Sequence, residues 1–420
     1  MTFSVPKGTK DILPGEVASW QHAERVFFDV CSDFGYREIR IPTFEHTEVF
    51  SRGVGQSTDV VRKEMYTFED KGGRSMTLRP EGTAGVVRSF IENGMTSQPA
   101  PVRLFYMINA FRYEKMQKGR YREFHQFGVE AFGSEGPEID AEIISLLVLF
   151  FERMGIEKTR LCINSIGCPE CRTLYHKALK SYFSDKIIEM CSDCKERFVQ
   201  NPMRILDCKE EKCKTYTSKA PRQLEYLCSG CHTHFQGLIG ALHALGIAFE
   251  VDPGIVRGLD YYTRTVFEFI SDNVGTQGTI CGGGRYDKLV EMMGGPSVPG
   301  IGFAMGVERF LMERAAQNIP GPDESTVKLY IANPDNETRS ACHKLVYQLR
   351  RKGISCEADL IGRSFRAQMK YANKNSIPFV AVIGPDELSS GKFSLKRMSD
   401  GETADFLMGD ELDHIIRWIN

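Results

Sequence analysis

Between residues 112 and 122 the chain carries five Lys/Arg against one Glu, a composition suited to an anionic partner. Charged hairpin tips are usually solvated. Arg112 and Glu114, however, fall inside or beside an apolar stretch that reads as a strand, where a polar side chain facing a sheet needs a partner. Two further segments place an arginine near glycines and an acid: Arg257-Gly258-Leu259-Asp260-Tyr261-Tyr262, and the stretch from Gly302 to Glu308-Arg309. Arginine makes bidentate phosphate contacts, and glycine lets a backbone approach a ligand closely. Three such segments point to a phosphate-rich ligand held by side chains, because the sequence has no Gly-x4-Gly-Lys-Ser/Thr loop. Gly300, Gly302 and Gly306 lack dinucleotide-fingerprint spacing. The run Gly282-Gly283-Gly284 by itself reads as a tight turn.

The elements that must position these residues follow from periodicity. Trp20, Ala23, Val26, Phe27, Val30, Cys31 and Phe34 recur at helical spacing up to Gly35. A strand over 36–42 ends at Pro42, which cannot donate to a ladder and so marks an edge or a subunit contact. Residues 65–68 and 75–78 flank a hairpin turn, and 84–92 reads as a helix. The basic segment lies between apolar strands at 104–108 and 127–132. A broad helix follows over 138–154, then a short strand at 161–164. Residues 256–269 return to strand character, and 302–310 open a helix. A Pro/Gly-rich linker at 316–326 precedes strands at 327–332 and 379–383 that alternate with helices at 338–353 and 364–374, the pattern of a separate α/β domain.

At 420 residues, with 42% hydrophobic and 26% charged residues, two or three globular domains are expected. No leader-like or membrane-spanning segment stands out, and a cytoplasmic location is expected. The formal charge of −2 leaves any nucleic acid to local patches. One such patch is residues 339–374, with nine Lys/Arg and two acids, although a solvated helix face is the usual explanation of such a bias. Residues 158–222 carry fourteen Lys/Arg and eight acids with few large apolar side chains, and read as a small inserted domain. The pairs Cys168/Cys171, Cys191/Cys194, Cys208/Cys213 and Cys228/Cys231 fall in or beside it, with His232 and His234 next to the last. Cys-x2-Cys spacing lets two thiolates reach one tetrahedral zinc, while reduced thiols also pack as small hydrophobes. Cys191, Cys194, Cys208, Cys213, Cys228 and Cys231 are the candidate ligands of one structural zinc; no catalytic metal is expected.

Over nearly its full length the chain resembles the bacterial histidyl-tRNA synthetases, which are class II aminoacyl-tRNA synthetases. The helix and strand ending at Pro42, the hairpin over 111–130 and the segment from Gly302 to Arg309 match the three class II motifs. Arg257-Gly258-Leu259-Asp260-Tyr261-Tyr262 and Gly283-Gly284-Arg285-Tyr286-Asp287 resemble the two peptides that set the histidine enzymes apart, and Arg79-Pro80-Glu81-Gly82-Thr83 resembles their amino-acid-binding segment. The resemblance implies an α+β class II core with an antiparallel sheet flanked by helices over 1–165 and 251–318. It also implies an inserted domain over 166–250 and an α/β anticodon-binding domain over 326–420.

It further implies ATP-dependent ligation of L-histidine to tRNA(His) through histidyl-adenylate, with Mg2+ accompanying ATP, in a homodimer. Arg112 and Arg257 are then the catalytic α-phosphate contacts. Glu114, Arg120, Phe124 and Arg309 join Arg112 at ATP. Glu130 and Tyr262 face the imidazole, Tyr286 closes the histidine pocket, and Glu81, Thr83 and Gln126 meet the amino-acid end. Gln117 meets the tRNA acceptor end, although Lys115-Met116 stands where many family members have Arg-Pro. Two other readings remain at this level: a non-catalytic synthetase-like regulatory subunit of ATP phosphoribosyltransferase, and a zinc-ribbon RNA-binding module.

Overall fold

The computed structural model describes residues 3–55, 58–206, 208, 210–255, 257–273, 278–322, 327–408 and 412–419. Val256, Asp323, Thr326 and Asn420, which fall within expected elements or domain bounds, lie outside the described residues. The chain divides into two units, Met1–Gly321 and Pro322–Asn420. No described helix is long and apolar enough to cross a membrane.

The first unit is built on an eight-stranded sheet whose order is Arg37–Glu38, Val102–Phe111, Glu123–Phe132, Gly300–Gly306, Thr279–Arg285, Thr263–Ile270, Arg160–Ser165, Glu250–Val251. Only the two outermost pairings are parallel. Alternation along the strands sorts side chains to two faces. Phe105, Phe127, Val129, Ala131, Phe267 and Phe303 enter one core with the helices Pro14–Asp33 and Glu138–Arg153. Val102, Leu104, Tyr106, Ile108 and Val266 enter another with the helices Thr83–Glu92 and Pro169–Phe183. The expected edge strand is only Arg37–Glu38 long, ending well before Pro42. The expected hairpin at 65–78 forms from Thr67–Glu69 and Ser75–Leu78, and Phe44–His46 joins it in a separate three-stranded sheet.

Three local expectations are corrected. The glycine run 282–284 is not a turn but lies inside the strand Thr279–Arg285. The segment from Gly302 begins as the strand Gly300–Gly306, and its helix starts only at Val307. Residues 257–262 form bends and turns rather than a strand. Tyr261 and Tyr262, though adjacent, are both buried and packed together, which strand alternation would not produce.

The glycines have a positional reason. Across the sheet, Tyr106, Gly128, Ala304, Gly282 and Glu268 are registered neighbours, and so are Leu104, Glu130, Gly302, Gly284 and Val266. Small residues in the middle of both rows leave a depression in that face, and a Cβ at Gly282 would run into the Arg257 guanidinium.

Arg285, inside one of the family-like peptides, serves the core. Fully buried, it donates from Nε to Asp140 at 2.8 Å and from Nη1 to the Ser134 carbonyl at 3.0 Å and Asp287 at 3.1 Å. His234 Nε2 lies 2.9 Å from the same Asp140. Arg285→Leu is therefore expected to cost about 3–5 kcal/mol by removing the guanidinium that neutralises the buried Asp140 carboxylate, which keeps only the His234 contact of these two, and by leaving the Ser134 carbonyl unmet. Denaturant unfolding of the purified variant measures this, and a loss below about 1 kcal/mol would contradict it.

The second unit has a five-stranded sheet, ordered Cys356–Ala358, Leu329–Ala332, Phe379–Val382, Lys392–Arg397, Thr403–Leu407. Helices Arg339–Arg351 and Phe365–Lys374 pack on it as expected. The basic face is partly spent internally: Arg363 and Arg339 both pair with the buried Asp359. Lys344, Arg351, Arg366, Lys370 and Lys374 are exposed.

Candidate active site

The depression opens into a cavity of about 580 Å³ in the first unit. Ten of the sequence-predicted residues line it: Glu81, Thr83, Arg112, Glu114, Arg120, Phe124, Gln126, Arg257, Tyr262 and Arg309. Glu130 and Tyr286 are buried outside that lining, and Gln117 sits at the hairpin tip in an isolated bridge with Arg120. Sequence reasoning missed Glu64, Arg204, Tyr261, Glu268 and Thr279, which also line the cavity. Tyr261 stood in a singled-out peptide, and Glu268 could have been found as the acid alternating with Phe267 and Phe269. Nothing in the sequence joins Arg204 to this site.

One end of the cavity is cationic. Arg112 Nε donates to the Pro80 carbonyl at 2.8 Å, and its guanidinium lies 5.4 Å from the Phe124 ring centroid. Arg120 Nη1 meets Glu114 at 3.0 Å. Arg309, at the start of the helix Val307–Ala316, donates to the Thr279 carbonyl at 2.9 Å. Burial lowers its pKa, with Arg120 adding to the effect. Such repulsion among cations favours an incoming polyanion.

Arg257 occupies the centre. It is bonded to Glu268, whose other oxygen accepts from the Thr279 hydroxyl at 2.9 Å, and it lies 5.4 Å from the Tyr262 ring centroid. Burial works against its charge, but Tyr262 and Glu268 outweigh this and hold its pKa raised. The result is a permanently charged guanidinium in a fixed orientation.

The other end is acidic and buried. Glu81 accepts the backbone N–H groups of Thr83 at 2.7 Å and Ala84 at 2.8 Å, so it also caps the helix Thr83–Glu92. Burial raises its pKa and these donors oppose the rise. Behind it, Glu130 accepts from Thr83 Oγ1 at 2.7 Å, Tyr106 at 3.2 Å and the Tyr286 hydroxyl. Burial pushes Glu130 up to about 8, against the pull of those hydroxyls. Gln126 Oε1 is buried without a protein partner, an unmet requirement that a bound polar group would satisfy. His125, on the strand Glu123–Phe132, is held by Glu308 at 2.9 Å and packs edge-on against Trp20, a structural placement.

The geometry therefore joins an arginine-rich half, suited to phosphates, to a buried half offering acceptors to an ammonium and a ring N–H. The family described as Histidyl-tRNA synthetase matches residues 8–179 and 203–310, and the family described as Anticodon binding domain matches residues 328–416. A histidine–tRNA ligase of Acetivibrio thermocellus is 58% identical over 402 residues, 96% of each chain. One from Clostridium botulinum is 49% identical over 417 residues, 99% of each. The crystal structure of apo histidyl-tRNA synthetase from S. aureus matches over 100% of both chains, with 38% identity and a TM-score of 0.84. With matches that span both units and include the segments lining the cavity, the chain belongs to the histidyl-tRNA synthetase family.

Proposed function

We propose that this protein ligates L-histidine to tRNA(His) in two steps at this cavity: histidine and ATP give histidyl-adenylate and pyrophosphate, and the acyl group then passes to the tRNA with release of AMP. The observation that carries the reading is the joining, within one cavity, of arginines from three separated segments to an acidic pocket. The histidine carboxylate oxygen bonds to the α-phosphorus as the bond to the pyrophosphate oxygen breaks. Negative charge builds on the oxygens around phosphorus and on the departing pyrophosphate, where pre-placed cations stabilise it without reorganising. Arg112 and Arg257 meet the α-phosphate. Arg309 and Arg120 take the outer phosphates, Glu114 meets the adenine, and Phe124 offers it a stacking face. Mg2+ arrives with ATP as part of the substrate.

Glu81, Thr83 and Gln126 receive the α-amino and carboxylate end. Glu130, with Tyr262 and Tyr286, meets the imidazole, a polar pocket that leaves groups unpaired with any other side chain. Gln117 meets the acceptor end. The exposed Lys344, Arg351, Arg366, Lys370 and Lys374 of the second unit serve tRNA phosphates, so affinity falls with salt. The division into a core at 1–165 and 251–318, an insertion at 166–250 and an anticodon-binding domain from 326, the homodimer and the cytoplasmic location belong to the same reading. The regulatory-subunit alternative is not favoured, since relatives matched over 96–99% of their length are ligases by name.

Histidine-dependent exchange between ATP and pyrophosphate is the direct test. Exchange is expected with histidine alone among the amino acids. No exchange, or equal exchange with a second amino acid, would overturn the assignment.

A further inference from the structure

The cysteines group differently from the expected set. Cys168 and Cys171, left out of it, join Cys228 and Cys231 in one foursome, and Cys191, Cys194, Cys208 and Cys213 form another. Within each foursome all four sulfurs lie within 4.8 Å of one another. The histidines are elsewhere: His234 is bonded to Asp140, and neither His234 nor His232 is in a foursome.

We infer that the insertion holds two structural zinc ions, each bound by four cysteine thiolates, one at its neck and one in its arm. Four sulfurs placed tetrahedrally at about 2.3 Å from zinc stand about 3.8 Å apart. The measured separations are 3.6 Å for Cys168 to Cys171 and 3.7 Å for Cys191 to Cys208. Disulfide sulfurs would stand at about 2.05 Å, far short of these separations. Three of the pairs begin a helix: Cys168 precedes Pro169–Phe183, Cys191 precedes Ser192–Gln200 and Cys228 precedes Ser229–Ala244. The second cysteine of each pair falls in the first turn, which aims both thiols to one side. Backbone N–H groups point at the sulfurs as they do at thiolates: Cys228 N–H donates to Cys171 Sγ at 3.1 Å and Cys191 N–H to Cys213 Sγ at 3.4 Å. Gly167, at φ +68°, turns the chain into the first pair, where a Cβ would strike Cys171.

The connectivity gives the two ions different tasks. The neck site ties the start of the insertion to its end, closing a long loop whose closure entropy is removed from the unfolded chain. Beside it, Arg172 donates to the Asp260 carbonyl at 3.3 Å. The arm site brackets the segment that reaches the cavity. Asn201 donates to Asp260 at 3.3 Å, Arg204 to Asp59 at 3.2 Å, and Arg62 pairs with Glu196 at 2.6 Å. Both ions thereby steady the 257–262 loop that carries Arg257, without touching substrate.

Zinc stoichiometry of the full-length protein tests this independently of its catalytic activity. The reduced protein is reconstituted with zinc, freed of excess by gel filtration, and its zinc counted by mass spectrometry alongside cysteine alkylation mapped by peptide. About two zinc per chain are expected, with the eight clustered cysteines protected from alkylation until a chelator is added. Cys171→Ser and Cys194→Ser should each hold about one. One zinc or fewer in the wild type, disulfides within the pairs, or alkylation of the eight in the zinc-loaded protein would overturn the proposal. Where a serine variant fails to fold, the wild-type count and protection map decide.

Discussion

Arg257→Ala is expected to reduce histidine-dependent ATP–pyrophosphate exchange by about 10³-fold or more while moving the thermal midpoint by no more than a few degrees. The size follows from what the side chain does. A cation fixed at a transferring phosphoryl group is worth about 10³–10⁵ in rate, because it stabilises charge that appears only in the transition state. Arg257 is fixed from three sides: Glu268 binds it, Tyr262 flanks it and Gly282 makes room for it. The stability effect stays small because Glu268 keeps the Thr279 hydroxyl, and Arg257 lies in the cavity wall rather than in either core. The loss should appear mainly in kcat. Arg257→Lys should recover only part of it, since an ammonium has no fork with which to hold Glu268 and a phosphate oxygen at once. Exchange within about tenfold of wild type for the alanine variant would remove Arg257 from the catalytic set.

The arrangement that makes this prediction possible was only partly legible in the sequence. The helices Pro14–Asp33 and Glu138–Arg153 announced themselves by period, because one face of each is buried over many residues, and the strands Val102–Phe111 and Glu123–Phe132 by their apolar runs, because both faces of the sheet are covered. The glycine run misled because local propensity assigns glycine to turns. Its reason is non-local: three neighbouring strands must leave space under Arg257 and around Glu130, and only the sheet register reveals that. The 257–262 segment misled in the opposite sense, since aromatic residues near a strand suggest more strand, whereas here they turn inward as a pocket wall. The cysteine pairs were visible, but spacing along a chain cannot say which pairs meet. The neck foursome joins residues far apart in sequence, and it could be found only by folding. Chemistry-bearing types such as Arg112, Glu81 and Arg309 were legible because charge beside apolar strands is costly and needs a reason.

Glu130→Gln is the second substitution with a large expected effect, and it tests the charge state of the pocket. A neutral amide of the same shape keeps part of the hydroxyl network from Thr83, Tyr106 and Tyr286 but cannot become an anion. Ionised Glu130 beside an imidazole ring makes a charge-assisted contact. Losing it should raise the KM for histidine by about 30- to 10³-fold, or about 2–4 kcal/mol.

The same carboxyl predicts a pH dependence in the ligand-free protein. Burial raises its pKa from 4.5 to about 8, so between those values the folded state holds a proton that the unfolded state has released. Stability then falls with rising pH across that window: the contribution is full below the unfolded value and is lost as pH passes through the folded one. The wild type should therefore lose stability between about pH 5 and pH 8 relative to Glu130→Gln, whose amide does not titrate. Urea midpoints of the two proteins across that range decide it, since parallel curves would mean that Glu130 is ionised throughout. With Glu130 protonated near neutrality and an imidazole pKa of about 6.5, the empty pocket and the free substrate each sit close to a proton transfer. Binding can then settle one proton between carboxyl and ring. That sharing requires an imidazole, so an apolar side chain of similar size would leave the buried carboxyl and its polar neighbours unpaired, and histidine is selected by a ring that both donates and accepts.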